Sequence, residues 1–431
     1  MIAKKDFTQQ DPFKNYIVQQ VKNYNKGKLL NNEEEIYQCA FVMMNYLKYE
    51  PNNASALSAI AQIMFQLNNY GEAYSIAERA YNIDGNEAAL KIINTFKNPP
   101  LPSTANFEIS TVCRLKCPMC AHGIGTVYHP NLFMPLDTFK LMWDKVKSFT
   151  KNVYLLGGGE TFMHPNVYEI MEYCKDANII VHTNGNPDMD YERILDYVNQ
   201  IHFSVDGLNQ EMYEKYRANG SFEKVINNIR GLVDARKQRK LSQTEILFKF
   251  IAFKHTEQYA KEAYELAESL DVDSFRLEPA AFTLSLGMDT YNEFMPTKPE
   301  HKRLGYIDFD KKEMCLPREK DNVFCSASLI SYFVRIKGDV SPCCNLSALP
   351  NVVTFGNLAN MSFEEIWSDP YYRDFRLKVL KNRWDEERCR TCFSAQPVKT
   401  GKFFEGTDLV KEPFWHDRHS DTRFNILSNT G

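Results

Sequence analysis

Between residues 106 and 278 the chain alternates between short apolar runs and longer helical patterns. No other feature restricts the fold as strongly. Strand-like runs at 106–111, 152–156, 178–182, 201–205, 245–251 and 274–278 are separated by helical stretches at 138–149, 167–177, 191–199, 222–240 and 257–270. Strands joined through helices run parallel, because a parallel pair needs a long crossover connection. The pattern gives six strand–helix units, too few for a complete eight-unit barrel. An α/β fold with its chemistry at the carboxyl ends of the strands is expected.

Directly after the first run stand Cys113, Cys117 and Cys120, spaced C-x3-C-x2-C. Three thiolates on one short loop can hold three irons of a 4Fe–4S cluster and leave the fourth iron open. An open iron can bind a substrate or a cofactor. On spacing alone, a zinc knuckle or buried thiols would also fit. The chain has 431 residues and eleven cysteines, with no apolar signal segment at its start. An odd cysteine count in such a chain favours a reducing cytoplasm and metal or cluster ligation over disulfides. No apolar run reaches the length of a membrane span. The net charge of −4 gives no reason to expect nucleic acid.

The other strand ends carry polar motifs. The second ends in Gly157, Gly158, Gly159 and Glu160, where glycines let the backbone approach a ligand and the carboxylate can accept from an ammonium. The third ends in Thr183, Asn184 and Gly185. The fourth gives Ser204, Asp206 and Gly207, followed by Tyr216 and Arg217, whose guanidinium suits a carboxylate. With the cysteine loop, these segments resemble the radical S-adenosylmethionine (radical SAM) superfamily, in the same order, over about residues 105–395. The resemblance implies a partial (β/α)6 barrel and a 4Fe–4S cluster on Cys113, Cys117 and Cys120. SAM would chelate the open iron. Gly158, Gly159 and Glu160 would meet its amino group, Thr183 and Asn184 would face it, and Ser204 and Arg217 would hold its carboxylate. The implied reaction is reductive cleavage of SAM to a 5′-deoxyadenosyl radical that abstracts a substrate hydrogen. The electron would come from a donor such as flavodoxin or ferredoxin.

A second cysteine set follows: Cys325, Cys343, Cys389 and Cys392. Residues 330–336 alternate like a hairpin strand, with Gly338 and Asp339 as its turn. Four such cysteines could close a second 4Fe–4S cluster or bind zinc. The spacing, the Gly356-Asn357-Leu358 turn, the Trp367 segment and the terminal C-x2-C resemble the SPASM/twitch extension of radical SAM enzymes. A full SPASM domain has seven cysteines. Those that follow the terminal pair are absent here, which points to the one-cluster twitch form. Cys315 and Cys344 could each serve as a spare or alternative ligand, and neither is assigned a role. A cluster closed by four cysteines cannot chelate substrate but can accept an electron from a substrate radical. This arrangement resembles that of aminocyclitol alcohol dehydrogenases, which implies oxidation of a sugar-like or cyclitol alcohol to a ketone. Lys249, Arg276 and Glu278 are candidates for the base. The alternative is a peptide-modifying maturase, and a remote one is a non-catalytic zinc-binding adaptor.

Residues 11–96 carry a different pattern. At an offset of 34 residues, Ile36 matches Tyr70, Cys39 matches Ala73, Met43 matches Ala77 and Tyr46 matches Ala80. This period resembles tetratricopeptide repeats, which commonly offer a groove to a partner or carrier. Three prolines in residues 97–103 end the helical pattern. The expected division is a helical repeat domain at 1–100, the partial barrel at 104–300, the auxiliary-cluster module at 310–400 and a tail at 401–431. Cys39 and Cys174 are read as core, His164, His182 and His202 as locally satisfied, and the basic run 236–240 as a solvated helix end.

Overall fold

The computed structural model describes residues 50–66, 70–127, 129–239, 243–281, 286–298, 301–303, 306–308, 313–315, 327–344 and 353–386, with Leu47, Cys325 and Cys389. The first half of the proposed repeat, with Cys39, lies outside the described residues. So do Cys392 and the tail.

Three helices open the described chain: α1 (Ala54–Gln66), α2 (Tyr70–Asp84) and α3 (Glu87–Lys97). Leu57, Ile60, Ala61 and Met64 of α1 are buried, opposite Ala73, Ala77 and Ala80 of α2. These alanines let the helices approach closely. Phe96 of α3 closes the layer, its ring 5.4 Å from that of Phe65 and 5.6 Å from that of Tyr74. The chain leaves the helix at Asn98, and Pro99 cannot continue it.

The central sheet contains β1 (Thr104–Glu108), β2 (Asn152–Leu156), β3 (Asn178–Thr183), β4 (Gln200–Ser204), β5 (Glu245–Ala252) and β6 (Ser274–Ala281). Each pairs in parallel with the next, in sequence order. The intervening helices are α4 (Leu136–Asp144), α5 (Val167–Tyr173), α6 (Tyr191–Tyr197), α7 (Gln210–Tyr216), α8 (Phe222–Gln238) and α9 (Ala260–Ser269). Strand side chains alternate between faces. Val153, Leu155, Ile179, Val181, Ile201, Phe203, Phe248 and Phe275 pack into the core with the helices. Tyr154, His182, Ser204, Lys249 and Arg276 therefore occupy the opposite, inward face.

Two elements depart from the sequence reading. The first strand ends at Glu108, because Met134 N–H donates to Ile109 O and Thr111 N–H to Leu132 O, turning the chain into a second pairing. The helix expected over 138–149 stops at Asp144. Lys145 is pulled into a tertiary contact, its ammonium donating to Leu358 O at 2.6 Å and Met361 O at 2.9 Å.

Beyond β6 come α10 (Met288–Phe294), the short β7 (Lys302–Arg303), which pairs with β6, and an antiparallel pair, β8 (Tyr306–Asp308) with β9 (Glu313–Cys315). After α11 (Ala327–Ile330), β10 (Ser331–Val334) turns through Gly338 into β11 (Val340–Ser341). Gly338 has φ +92°, the left-handed region that this turn requires. Strand β10 pairs in parallel with β1, matching Asn106 to Phe333, so the hairpin extends the central sheet. Helices α12 (Phe363–Ser368) and α13 (Pro370–Asn382) finish the described module. Leu380 of α13 packs into the N-terminal helical layer, and Lys381 pairs with Glu78 at 2.8 Å. Among the described residues no helix is long and apolar enough to cross a membrane.

Candidate active site

The carboxyl ends of β1 to β4 converge on one cleft. It is lined by Cys113, Cys117 and Cys120 from the loop after β1, by Gly157, Gly158, Gly159 and Glu160 after β2, by His182, Thr183 and Asn184 on β3, by Ser204 on β4, and by Arg217 after α7. The motifs named in the sequence thus stand together. Glycine is required at 159, because a Cβ there would lie 2.5 Å from Val112 N. The close approach lets Glu160 N–H donate to Val112 O at 2.8 Å, which binds the glycine loop to the cysteine loop.

Buried carboxylates tie the loops together. Glu160 is 3% exposed. It accepts from Thr183 Oγ1 at 2.7 Å, Asn184 N at 2.8 Å and Phe162 N at 3.2 Å. An ionised carboxylate has about four acceptor sites, so one remains. Asp206 is fully buried and lies at φ +50°, in a region that asparagine and aspartate tolerate. Its Oδ2 accepts from Arg217 Nε at 2.7 Å and from a second guanidinium nitrogen, and its Oδ1 accepts from Ile251 N at 2.7 Å. The fork of Arg217 that the sequence assigned to a cofactor carboxylate is therefore engaged by Asp206. The remaining Nη1 points to Cys117 Sγ at 3.8 Å. Burial works against the Arg217 charge, but Asp206 and Cys117 outweigh it and hold the guanidinium well above its usual range.

Glu108, at the end of β1, is the third buried carboxylate. It accepts from Gly158 N and from Ile336 N, each at 3.0 Å, and so links the glycine loop to the hairpin of the C-terminal module. Burial raises its pKa. Sequence reading left Glu108 and Asp206 without roles. A charge at the end of the first strand was the available signal for the first, and the Ser204-to-Arg217 segment held the second. Nothing marked His122, which meets Cys113 O at 2.8 Å.

The three thiols fit a cluster better than a single ion. Among the described residues no group of three His, Cys, Asp or Glu could hold one metal ion. Zinc would need its sulfurs within about 4 Å of one another, given bonds near 2.3 Å at tetrahedral angles. A cubane takes thiolates that stand wider apart. The sulfurs also receive nitrogen donors, from Asn184 Nδ2 to Cys113 at 3.7 Å and from Arg217 to Cys117. Burial pushes the Cys113 thiol up to about 12 and raises Cys117 as well, so ligation must displace protons.

The second cysteine set lies on the C-terminal module. Cys325 N–H donates to Val379 O of α13 at 3.0 Å, Cys389 N–H donates to Glu386 O at 2.9 Å, and Cys343 follows β11. Cys325 and Cys343 pack against the core, Cys389 is buried and Cys344 is exposed. Cys315 lies on β9, and Cys392 is outside the described residues. Two buried polar groups of α13 lie beside this set. Arg376 is 1% exposed, its guanidinium carbon 4.0 Å from the Trp367 ring centroid and 4.4 Å from that of Tyr372. One nitrogen donates to Trp367 O at 2.8 Å, while Nε and Nη1 have no hydrogen-bond partner among the described residues. The Tyr372 hydroxyl also lacks one, and Cys343 is close enough to act on its charge. Orphaned donors on the helix that receives the Cys325 amide are what an anionic iron–sulfur group would complete.

The remaining candidates are placed as follows. Lys249 pairs with Glu278 at 3.2 Å, and Arg276 lies 3.8 Å from the same oxygen. Lys249 stands opposite Ser204 in register, so this trio shares the inward face with the cleft. His164 is satisfied by Met134 O at 2.8 Å and Asn166 N at 3.0 Å. His182 and His202 stack with ring centroids 4.3 Å apart. Cys174 is buried in the core.

Residues 107–274 match the radical SAM superfamily, and residues 325–393 match the iron–sulfur cluster-binding SPASM domain. The AdoMet-dependent heme synthase of Methanosarcina barkeri is 25% identical over 346 residues, covering 70% of this chain and 95% of that protein. The antilisterial bacteriocin subtilosin biosynthesis protein AlbA of Bacillus subtilis is 26% identical over 315 residues, covering 66% of this chain and 64% of AlbA. Among solved structures, SuiB of Streptococcus suis bound to S-adenosylmethionine is similar at a TM-score of 0.48 and 15% identity, over 74% of this chain and 80% of SuiB. The chain thus carries a radical SAM domain followed by a SPASM domain. Its cofactors are those of the two domains: SAM at a 4Fe–4S cluster with an open iron, and an auxiliary cluster.

Proposed function

We propose that this chain, which joins a radical SAM domain to an iron–sulfur SPASM domain, is a radical SAM oxidoreductase acting on a sugar-like or cyclitol alcohol. The carrying observation is the convergence of Cys113, Cys117 and Cys120 with Glu160, Thr183, Asn184, Ser204 and Arg217 in one cleft. With its cofactors bound, the site supplies a 5′-deoxyadenosyl radical. The three cysteines hold the cluster there. Gly158 and Gly159 bring the backbone to the cofactor's amino group, and Glu160 offers its remaining acceptor site. Ser204 and the outer edge of Arg217 meet the carboxylate, with Asp206 fixing the guanidinium plane. Positioning of this kind holds a target carbon within reach of a radical and excludes water.

The auxiliary set is assigned to Cys325, Cys343, Cys389 and Cys392, in the one-cluster twitch form. A fully cysteine-ligated cluster suits electron acceptance rather than substrate chelation, which favours two-electron oxidation. Lys249, Arg276 and Glu278 supply polar contacts on the inward face and are the candidates for the base. Flavodoxin or ferredoxin serves as electron donor, in the cytoplasm. The N-terminal helices, read as tetratricopeptide-like repeats, form a partner surface at 1–100, beside a barrel at 104–300 and a module at 310–400.

A second reading is peptide modification, favoured by the similarity to the subtilosin biosynthesis protein and by a helical layer docked on the auxiliary module. A zinc adaptor would leave the Glu160 and Asp206 networks without a purpose. The test is anaerobic reconstitution with iron and sulfide, then SAM and dithionite, with 5′-deoxyadenosine measured. Formation of 5′-deoxyadenosine, with deuterium transferred into it from a labelled cyclitol or sugar alcohol, is expected. Transfer from a peptide would establish the second reading instead. Bound zinc and no 5′-deoxyadenosine would overturn both.

A further inference from the structure

A buried guanidinium with two unpartnered nitrogens is an unstable arrangement in a finished protein. Burying a charge without a partner costs several kcal/mol, and buried donors are rarely left unmade. Arg376 is 1% exposed; among the described residues it donates to one carbonyl, lies beside the Tyr372 hydroxyl and has the Asp369 carboxylate nearby without an ion pair to it. Its stacking between Trp367 and Tyr372 compensates in part, since a cation over a desolvated ring gains about 2 kcal/mol. The rings cover the faces of the guanidinium and leave its edge, Nε and Nη1, unanswered. Tyr372, four residues earlier on the same helix, lies beside the guanidinium, and its own hydroxyl proton finds no acceptor. Unmade donors on one helix face call for an acceptor, and a negative one.

The surroundings identify it. Cys343 acts electrostatically on Tyr372, and Cys325 is hydrogen-bonded to Val379, one helical turn beyond Arg376. A cluster held by thiolates is an anion, and reduction adds one further negative charge. We propose that Arg376 and Tyr372 donate hydrogen bonds to the auxiliary cluster or its thiolates and so set its reduction potential. This rests on the assignment of Cys325, Cys343, Cys389 and Cys392 to that cluster. Hydrogen bonds to cluster sulfurs, net charge and burial are the terms that fix such potentials. A buried cation favours the reduced form. It raises the potential and makes the cluster a better acceptor for the electron that a substrate radical gives up as it loses its proton. Arg376 and Tyr372 are positioning and tuning residues, since neither touches substrate.

The test uses the full chain with Cys113, Cys117 and Cys120 changed to alanine, so that the auxiliary cluster is observed alone. Its midpoint is read by redox titration with electron paramagnetic resonance. Arg376→Met is expected to lower the midpoint by at least 59 mV, a tenfold change in the oxidised-to-reduced ratio at fixed potential. Arg376→Lys, which keeps the charge and loses the fork, shifts it less. Tyr372→Phe removes one oxygen and lowers the midpoint by a smaller step. If Arg376→Met fails to hold iron, Tyr372→Phe decides alone. An unchanged or raised midpoint in Tyr372→Phe, or in Arg376→Met with iron retained, overturns the inference. Absence of iron in the parent triple variant also overturns it. That result would leave the 5′-deoxyadenosine test of the wild-type protein, and the reading it supports, untouched.

Discussion

The SAM cleft and the auxiliary module treat their buried polar groups in opposite ways. In the cleft, Glu108, Glu160 and Asp206 are each answered by two or more donors from the chain itself. In the module, Arg376 and Tyr372 carry donors that the described residues leave unanswered. A site satisfied by its own chain is organised before anything binds. A site with orphaned donors is completed by its cofactor. The first arrangement suits a cleft that must admit and release SAM, and the second suits a cofactor that stays bound.

Three measurements break or sharpen this contrast. The largest effect belongs to the cleft. Asp206→Ala removes the partner of a mostly buried guanidinium and should destabilise the protein by about 3–5 kcal/mol, read from the denaturant midpoint. A change near zero would mean that the cleft is not held by its own ion pair. Next is removal of iron with a chelator. Amides of β10, β11 and α13 should then exchange about tenfold faster, roughly 1.4 kcal/mol, while those of Phe203 and Phe248 keep their protection. Equal loosening of both regions would erase the difference between them. The smallest effect is acidification. His255 lies against Phe253 and Phe294, in the apolar cluster that supports Leu115 and Cys117. Burial lowers its pKa to about 4. A histidine depressed on folding stabilises fully above its ordinary value near 6.5, and the contribution is lost as pH falls from there towards 4. With screening at a partly exposed ring, the loss should be on the order of 1 kcal/mol, and His255→Phe should flatten that part of the stability profile.

The two regions were also unequally legible in the sequence. The parallel strands announce themselves as short apolar runs because one face of each packs under the helices, and the cleft residues sit at the ends of those runs. Side-chain partnerships are not encoded in spacing. Arg217 was legible as a carboxylate binder, but the carboxylate it holds in the chain is Asp206, eleven residues away, which the sequence left without a role. Arg376 looked like an ordinary charge on a helix rich in charge, since its burial depends on Trp367 and Tyr372 closing around it. Helix ends failed where tertiary contacts intervene, as at Lys145.

The pairing of β10 with β1 constrains the order of folding. Asn106 Nδ2 donates to Tyr332 O at 3.0 Å, across 226 residues of chain. Until the ribosome has released that stretch, β1 presents an open edge, and contacts of such sequence separation form slowly. The cysteine loop follows β1 directly, so the geometry of the first cofactor site waits on a strand made 226 residues later. Iron delivered to a nascent chain would meet Cys113, Cys117 and Cys120 before their supporting edge is in place. Cluster insertion is therefore expected to follow completion of the sheet.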